Sequence, residues 1–554
     1  MTAPHILLIV ADDLGWNDVS FHGSTQIPTP HIDALAHGGV ILDNYYVQPV
    51  CSPTRSSLLT GRHVIHSGIY DPDCNYKTTN AVPTQFTMLP KHLRSLGYET
   101  FAVGKWHLGY FAPEVLPTGR GFDEYFGYYG GAEDYFTHTA GFDEYIDIHD
   151  DNATIIRPAQ GLSGHYSTHL YTDRAVSIIQ RFAERHQHND AASSLFLYLA
   201  YQAIHSPDEA PDSYKWRFNK TIPDTPDGVG QHRRIVAGMV AALNEGIGNV
   251  TNALDASGMA QRTLIVFTTD NGGPAQGFNS NMASNWPLRG MKRTLWEGGV
   301  RGSGFVYGAG IRKAGVVSHA LLHVTDLPIS LLALATNGVE VDPLSPAWAD
   351  WREHPKLRTS MRGAPPFELG DGVDNWAAIS TGAPSARTEV LHEAHKDGSN
   401  KEDGNGQALR IGDFKLIYEK GPQWHGPPND LWYTSGSNPS QYDHTVHCPP
   451  PPLPNASDYC HPHKLPCLFN VAEDPCEMHD LSTAMPLKLA QMVERLKAYQ
   501  ATAVLKGFHT LTGVNCTASS PAKHPEWLGF WMPFCAATAP GPGVMETRIT
   551  EAPL

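Results

Sequence analysis

Cys51-Ser52-Pro53-Thr54-Arg55 sets a thiol and a guanidinium four residues apart. A helix beginning at the cysteine would bring both to one face. Pro53 suits a first helical turn, where its missing N–H is not needed. A helix N-terminus presents free N–H groups and a positive dipole end, which favours an anion. Taken alone, the better reading of this pair is a buried cysteine beside a solvated arginine, because short motifs also arise by chance.

Four other polar groups change that weighting. Asp12-Asp13 follow the apolar run His5–Val10, and Lys105 and His107 follow Tyr98–Val103. His205 follows Leu195–Ala200, and Asp270-Asn271 follow Thr263–Thr268. Two adjacent carboxylates at the end of a buried strand are costly unless they are solvated or bind a cation. Asp12, Asp13, Asp270 and Asn271 offer only oxygen ligands, which suit Ca²⁺ or Mg²⁺ and not Zn²⁺. Arg55, Lys105 and Lys292 add positive charge, and His107 and His205 move protons near neutral pH. A divalent cation ringed by such groups is a device for a small oxyanion ester, sulfate or phosphate, stabilising charge as the ester oxygen leaves. On residue types alone, Cys51 would act as a thiolate.

These residues need a scaffold that brings them together. The apolar runs are short and continuous, as in buried parallel strands. They alternate with helical patterns at Ile32–Gly38, Met88–Leu96, Tyr171–His186 and Arg233–Leu254, the last weakened by Gly246 and Gly248. Gly39–Tyr46 and Gly302–Tyr307 read as further strands. This alternation predicts an α/β fold, a large mostly parallel sheet with helices on both faces. Ligands of such sheets bind beyond the carboxyl ends of the strands, where all four polar groups lie.

From about residue 340 the alternation fades. Gly412-Asp413 is a hairpin signal between Ala408–Ile411 and Phe414–Tyr418. Pro422–Pro466 reads as a long loop. Pro486–Val504 reads as an amphipathic helix with Leu489, Met492, Val493 and Leu496 on one face. The expected division is a catalytic domain over 1–385 and a smaller α+β domain over 386–554, an antiparallel sheet with one helix and a Pro/Cys-rich loop.

The 554 residues are enough for a large core. With 40 Lys+Arg against 56 Asp+Glu, the net charge of −16 argues against nucleic acid as a partner. It does not exclude an anionic substrate, because local cations dominate within a Debye length. No apolar run reaches membrane-spanning length. Six of the eight cysteines follow residue 440, and Asn-x-Ser/Thr sequons begin at Asn152, Asn219, Asn249, Asn455 and Asn515. Both features lean towards an exported protein, lysosomal or extracellular. Met1-Thr2-Ala3-Pro4 shows no leader, so a leader is expected to have been lost from this sequence. Cys460-His461-Pro462-His463 with Cys467 matches no closed zinc spacing and is read as disulfide-forming.

The stretch Cys51–Arg62 resembles the signature of the sulfatases, within the alkaline phosphatase superfamily. The resemblance continues through Ala11–Gly15, Gly104–Gly109, Thr269–Gly273 and Leu288–Lys292, in the family's order. It implies an alkaline phosphatase-like sheet. It also implies that Cys51 is oxidised to formylglycine by the formylglycine-generating enzyme and that its hydrated aldehyde is the nucleophile. One Ca²⁺ is implied, held by Asp12, Asp13, Asp270, Asn271 and the modified Cys51. Arg55 would hold the hydrate, and Lys105 and Lys292 the sulfate oxygens. His205 or Lys292 would protonate the leaving alcohol, and His107 would take the proton that frees sulfate. Thr54 stands where the family usually has Ser or Ala.

Within the family, Trp286–Gly290, Leu295–Gly302 and Val47–Pro49 resemble the N-acetylgalactosamine-4-sulfatase (arylsulfatase B) branch and its relatives arylsulfatases I and J. The implied substrate is a galactosamine 4-sulfate of a glycosaminoglycan. Another sulfated carbohydrate, an aryl sulfate, or a phosphoester or phosphonate are the alternatives. The same resemblance implies a Cys74–Cys516 disulfide. With Cys51 modified, seven cysteines remain, an odd number that leaves at least one free or paired between chains.

Overall fold

The computed structural model describes residues 3–535 apart from 77, 141–144, 187–192, 227, 276–279, 337–369, 396–405, 419–459, 461–464, 506–520 and 525–526. Its centre is a nine-stranded sheet. In chain order the strands are β1 (His5–Ala11), β2 (Val40–Leu42), β3 (Tyr98–Gly104), β4 (Glu124–Gly127), β5 (His149–Asn152), β6 (Ser194–Ala200), β7 (Thr263–Thr269), β8 (Gly304–Gly308) and β9 (Val316–Ser318). Their spatial order is β9-β2-β8-β7-β1-β6-β3-β4-β5. β1 lies in the middle, parallel to β7 on one side and β6 on the other, and β3 is parallel to β6. β8 is antiparallel to both its neighbours, and the edge strand β5 is antiparallel to β4. The sheet is therefore mixed but mostly parallel, as expected.

Period-two alternation sorts β1 between two apolar layers. Leu7 and Ile9 face helices α4 (Ser167–His186) and α5 (Val229–Ala256). Ile6, Leu8 and Val10 face α2 (Cys51–Thr60), α3 (Leu89–Ser95) and α6 (Asp326–Ala335) through Leu58, Leu59, Leu93 and Leu331. Gly248 does not break α5: a Cβ there would lie 2.7 Å from the ring of His31, so the glycine is where α1 (Pro30–Gly38) packs closest.

One expected strand is corrected. Gly39–Tyr46 is not continuous; a turn at Asp43-Asn44 separates β2 from Tyr45-Tyr46, which pairs with Leu322-His323 outside the main sheet. The turn is held by Arg301, whose guanidinium donates to the carbonyl and carboxylate of Asp43 at 2.8 Å each.

Near the C-terminus a four-stranded antiparallel sheet forms in the order β10 (Glu389–Glu393), β11 (Gln407–Ile411), β12 (Phe414–Tyr418), β13 (Cys467–Asn470). The β11–β12 hairpin turns at Gly412-Asp413 as read from sequence. Helix α7 (Pro486–Thr502) buries Met492 and Leu496 against this sheet, with Leu489 and Val493 partly covered. Among the described residues no helix is long and apolar enough to cross a membrane.

Cys460 and Cys467 form a disulfide, in agreement with the reading of that tract, although His461 and His463 lie outside the described residues. Cys476 and Cys535 are also disulfide-bonded. The Cys74–Cys516 expectation fails at its described end: Cys74 is a free, buried thiol, packed into the same apolar layer as Trp106 and Leu108. Cys516 lies outside the described residues, as do Asn455, Asn515 and most of the Pro422–Pro466 loop. Cys74 is thus an odd cysteine left over once Cys51 is set aside.

Candidate active site

The four strand ends meet at one rim. The β1 and β7 ends are tied together by the Asp270 N–H donating to the Ala11 carbonyl (3.2 Å), and the loop after β6 by the Asp12 N–H donating to Ala203 (2.9 Å). β3 ends at Gly104, whose φ is +95° and whose added Cβ would lie 1.9 Å from the Ala200 carbonyl oxygen. That close approach lets the Lys105 N–H donate to the same carbonyl at 2.9 Å, aiming Lys105 at the rim. Gly104→Ala is therefore expected to cost more than about 2 kcal/mol and to displace Lys105. Thermal unfolding checks the first effect, and a wild-type melting temperature would contradict it.

Helix α2 starts at Cys51, and all ten of its residues are buried. Two of its polar side chains tie it to neighbouring segments. The Ser52 hydroxyl donates to the His107 carbonyl (2.8 Å), and Thr54 Oγ1 accepts from the Gln48 N–H (2.9 Å). Thr54 thus fastens the helix to the segment that leads into it. The first turn has no side-chain cap, so no capping side chain takes up its leading N–H groups.

Charges pair densely here. Lys105 Nζ donates to Asp12 Oδ2 at 2.6 Å, and Lys292 Nζ lies 2.7 Å from Asp13 Oδ1. Arg55 donates through Nε and a terminal nitrogen to Asp270 Oδ2 (3.0 and 2.8 Å) and sits 3.5 Å from Asp12. Burial alone would raise the Asp12 and Asp13 carboxyls. Lys105, His205 and Arg55 around Asp12, and Lys292 and His205 beside Asp13, hold both below the usual carboxylate range. Asp270 goes the other way: burial and the charge of Asp12 raise it despite Arg55. The Cys51 Sγ lies 3.8 Å from Asp12 Oδ1, and burial pushes its thiol up to about 12. As encoded, Cys51 is a poor nucleophile at neutral pH.

The residues fit a hard cation. Ligand atoms of Asp12, Asp13, Cys51 and His205 all lie within 4.8 Å of one another. Asp270 Oδ1 joins them by accepting from the Asp13 N–H (3.3 Å), and Asn271 Nδ2 by donating to Asp13 Oδ1 (2.7 Å). That leaves Asn271 Oδ1 buried with no hydrogen-bond partner among the described residues. A buried amide oxygen with no hydrogen-bond partner beside three buried carboxylates is a donor set whose chemistry suits a hard divalent cation.

The histidines differ. His205 Nδ1 points at the Ser206 carbonyl (2.6 Å), which places its proton there and turns Nε2 towards Asp13, 3.7 Å away. His107 stands apart from the ligand cluster. Its Nε2 faces the Pro72 carbonyl (3.2 Å), and its buried Nδ1 has no hydrogen-bond partner among the described residues. His107 thus keeps an unshared lone pair at Nδ1. All ten residues named from sequence are buried, and contacts link them into one region.

Sequence reasoning missed the supports. Asn285 accepts from the Gly273 N–H and donates to the Gly273 and Gly290 carbonyls, clamping the Asp270 loop to the Lys292 loop. Ser52 and Gln48 were passed over as well. A polar residue inside a Pro/Gly-rich loop carries no signal that it bridges two others.

A family model described as Sulfatase matches residues 4–338, which includes every residue of this rim. The chain belongs to the sulfatase family. Arylsulfatase J of Mus musculus is 35% identical over 522 residues, 90% of this chain and 76% of that protein. N-acetylgalactosamine-6-sulfatase of Homo sapiens is 30% identical over 353 residues, 60% of this chain and 62% of that protein. Among solved structures, Ps i-CgsB in complex with k-i-k-neocarrahexaose is similar with a TM-score of 0.66 and 26% identity, over 95% of this chain and 97% of that one. The sulfatase is thus a sulfuric ester hydrolase of a family that generally uses a metal ion and a formylglycine.

Proposed function

We propose that this sulfatase removes sulfate from N-acetylgalactosamine 4-sulfate units of glycosaminoglycans, using one Ca²⁺ and a formylglycine made from Cys51 by the formylglycine-generating enzyme. The observation that carries the reading is the convergence of three buried carboxylates, Asn271, three cations and two histidines around Cys51. A carbohydrate substrate accords with the similarity to N-acetylgalactosamine-6-sulfatase and to Ps i-CgsB in complex with k-i-k-neocarrahexaose. The choice of the 4-sulfate rests on the sequence resemblance above.

The hydrated aldehyde supplies an oxygen nucleophile for sulfur. Asp12, Asp13, Asp270, Asn271 and the modified Cys51 would hold the cation, which when bound would supply Lewis-acid stabilisation of sulfate charge. Arg55, four residues along α2 and fixed on Asp270, holds the nucleophilic group in place. Lys105 and Lys292 bind sulfate oxygens through fixed ammonium groups, whose positions the buried carboxylates set in advance. The departing alcohol takes a proton from Lys292, or from His205 when its Nε2 is also protonated; both groups face Asp13. His107, with its free Nδ1, accepts the proton whose loss releases sulfate.

The division into 1–385 and 386–554 is part of this proposal, supported by the change from a mostly parallel to an antiparallel sheet. A secretory-pathway setting, lysosomal or extracellular, is supported by the disulfides.

Defined disaccharides carrying a 4-sulfate or a 6-sulfate, with a matched aryl sulfate and aryl phosphate, test the function. The 4-sulfate is expected to show a kcat/KM at least about tenfold above the 6-sulfate. The reverse order would assign a 6-sulfatase, and a phosphate preference would reject sulfate specificity.

A further inference from the structure

Behind the rim lies a second buried charge cluster that the reaction does not use. Glu297 Oε1 accepts from Lys415 Nζ at 2.8 Å, and Glu297 Oε2 accepts from the Tyr46 hydroxyl at 2.7 Å. Lys415 Nζ also lies 2.9 Å from Glu477 Oε1, and Glu477 Oε2 accepts the backbone N–H of Glu297 at 2.7 Å. The side chains of Glu297, Lys415 and Glu477 are fully buried. Lys415 comes from β12 of the C-terminal sheet, and Glu477 follows β13. Glu297 belongs to the main fold.

Burying two carboxylates and an ammonium is costly, and an apolar cluster of equal volume would often be as stable. What distinguishes this cluster is what hangs on it. Glu297 opens a short turn, Glu297–Val300. Three backbone hydrogen bonds leave that turn for three different site segments. The Gly299 carbonyl accepts from Gly272 (3.0 Å), next to Asp270-Asn271. The Val300 carbonyl accepts from Val47 (2.8 Å), just before α2. The Gly298 N–H donates to Arg289 (2.6 Å), three residues before Lys292. Arg289 in turn donates to the Glu477 carbonyl at 2.9 Å.

We propose that Lys415 is a positioning residue for sulfate hydrolysis: through Glu297 and Glu477 it fixes the 297–300 turn, and that turn sets the metal-ligand loop, the Lys292 loop and the start of α2 relative to one another. The C-terminal sheet is then part of the working site even though it places no group on substrate. The inference rests on the reading of Cys51, Asp270, Asn271 and Lys292 as the site.

Lys415→Met in the full chain tests it by two readouts. With an aryl sulfate, kcat is expected to fall at least about tenfold while KM changes less than about threefold, because binding groups remain but their mutual placement is lost. In native-state hydrogen exchange, the amides of Gly272, Val47 and Gly298 are expected to exchange at least about tenfold faster, with β1 amides unchanged. A folded variant with wild-type kcat, or with unchanged protection at those three amides, overturns the proposal. If Lys415→Met does not fold, the Glu297→Gln/Lys415→Met double variant, which removes both members of the closest pair, undergoes the same two measurements with the same criteria. Should the wild type fail to hydrolyse any sulfate, the reading of the site falls, and the exchange readout still decides whether Lys415 fixes the turn.

Discussion

Cys51→Ala is expected to yield a folded protein that no longer hydrolyses sulfate esters, with kcat down by at least about three orders of magnitude, the scale on which losing a nucleophile acts. The fold should survive because the thiol makes only a long 3.8 Å approach to Asp12 among the described residues. Losing one small buried side chain costs about 1 kcal/mol. Cys51→Ser is expected to be equally inactive, since a serine hydroxyl cannot form the geminal diol of a hydrated aldehyde. The unmodified cysteine is no substitute either, with its thiol pushed up to about 12 by burial. Peptide mass analysis of the active wild type should show an aldehyde or its hydrate at position 51. A plain thiol in fully active enzyme would sink the formylglycine reading.

Stripping the metal should abolish turnover and leave the fold. The reason lies in the charge count at the rim. Asp12, Asp13 and Asp270 contribute three negative charges, and Arg55, Lys105 and Lys292 contribute three positive ones in direct contact with them. The set balances without any ion, so the metal-free protein buries no unmatched charge. A divalent cation would then give the pocket a net positive charge, matched to an anionic ester whose leaving oxygen gains charge in the transition state. Exhaustive chelation is expected to lower kcat at least about a hundredfold. Unfolding stability should fall only by the linkage term, about 2.7 kcal/mol for an ion present at a hundred times its Kd, and the melting temperature accordingly. Calcium should restore activity, and comparison with magnesium would identify the ion. Full turnover in protein shown by elemental analysis to be metal-free would reject a metal role. Collapse of the fold would reject the charge balance.

The two variants bear on different layers of the molecule. Cys51→Ala removes a reacting group and leaves its surroundings intact. Lys415→Met leaves every reacting group in place and loosens the turn behind them. A kcat lost in both, with local exchange raised only in the second, would separate chemistry from placement.

Much of this site was legible in the sequence because its signals are local. A short apolar run ending in Asp12-Asp13 or Asp270-Asn271 declares both the strand and the polar group at its end. The i, i+4 spacing of Cys51 and Arg55 needs only a helix to bring them together, and α2 begins at Cys51. Parallel-sheet logic then sends all four strand ends to one rim, including Asp13 and Asn271, which hydrogen-bond across 258 residues. The formylglycine chemistry proposed for Cys51 comes from the family resemblance, since residue types alone would make Cys51 a thiolate.

Other features depend on which distant segments touch, and no local pattern encodes that. The break between β2 and Tyr45-Tyr46 follows from Arg301 reaching Asp43. Cys74 stays a free thiol because its partner choice depends on where two remote segments pack, not on cysteine spacing. The protonation pattern of His107 is set by the Pro72 carbonyl on a neighbouring loop. Lys415, at an ordinary position in a β-hairpin, becomes the anchor of the 297–300 turn because folding buries it against two carboxylates from elsewhere in the chain. Sequence marked the polar groups proposed to react and the strand ends that carry them, since periodicity and spacing are properties of neighbouring residues. Tertiary structure alone decided how those groups are held, since side-chain partners across a packed interior are fixed by the closing of the whole fold.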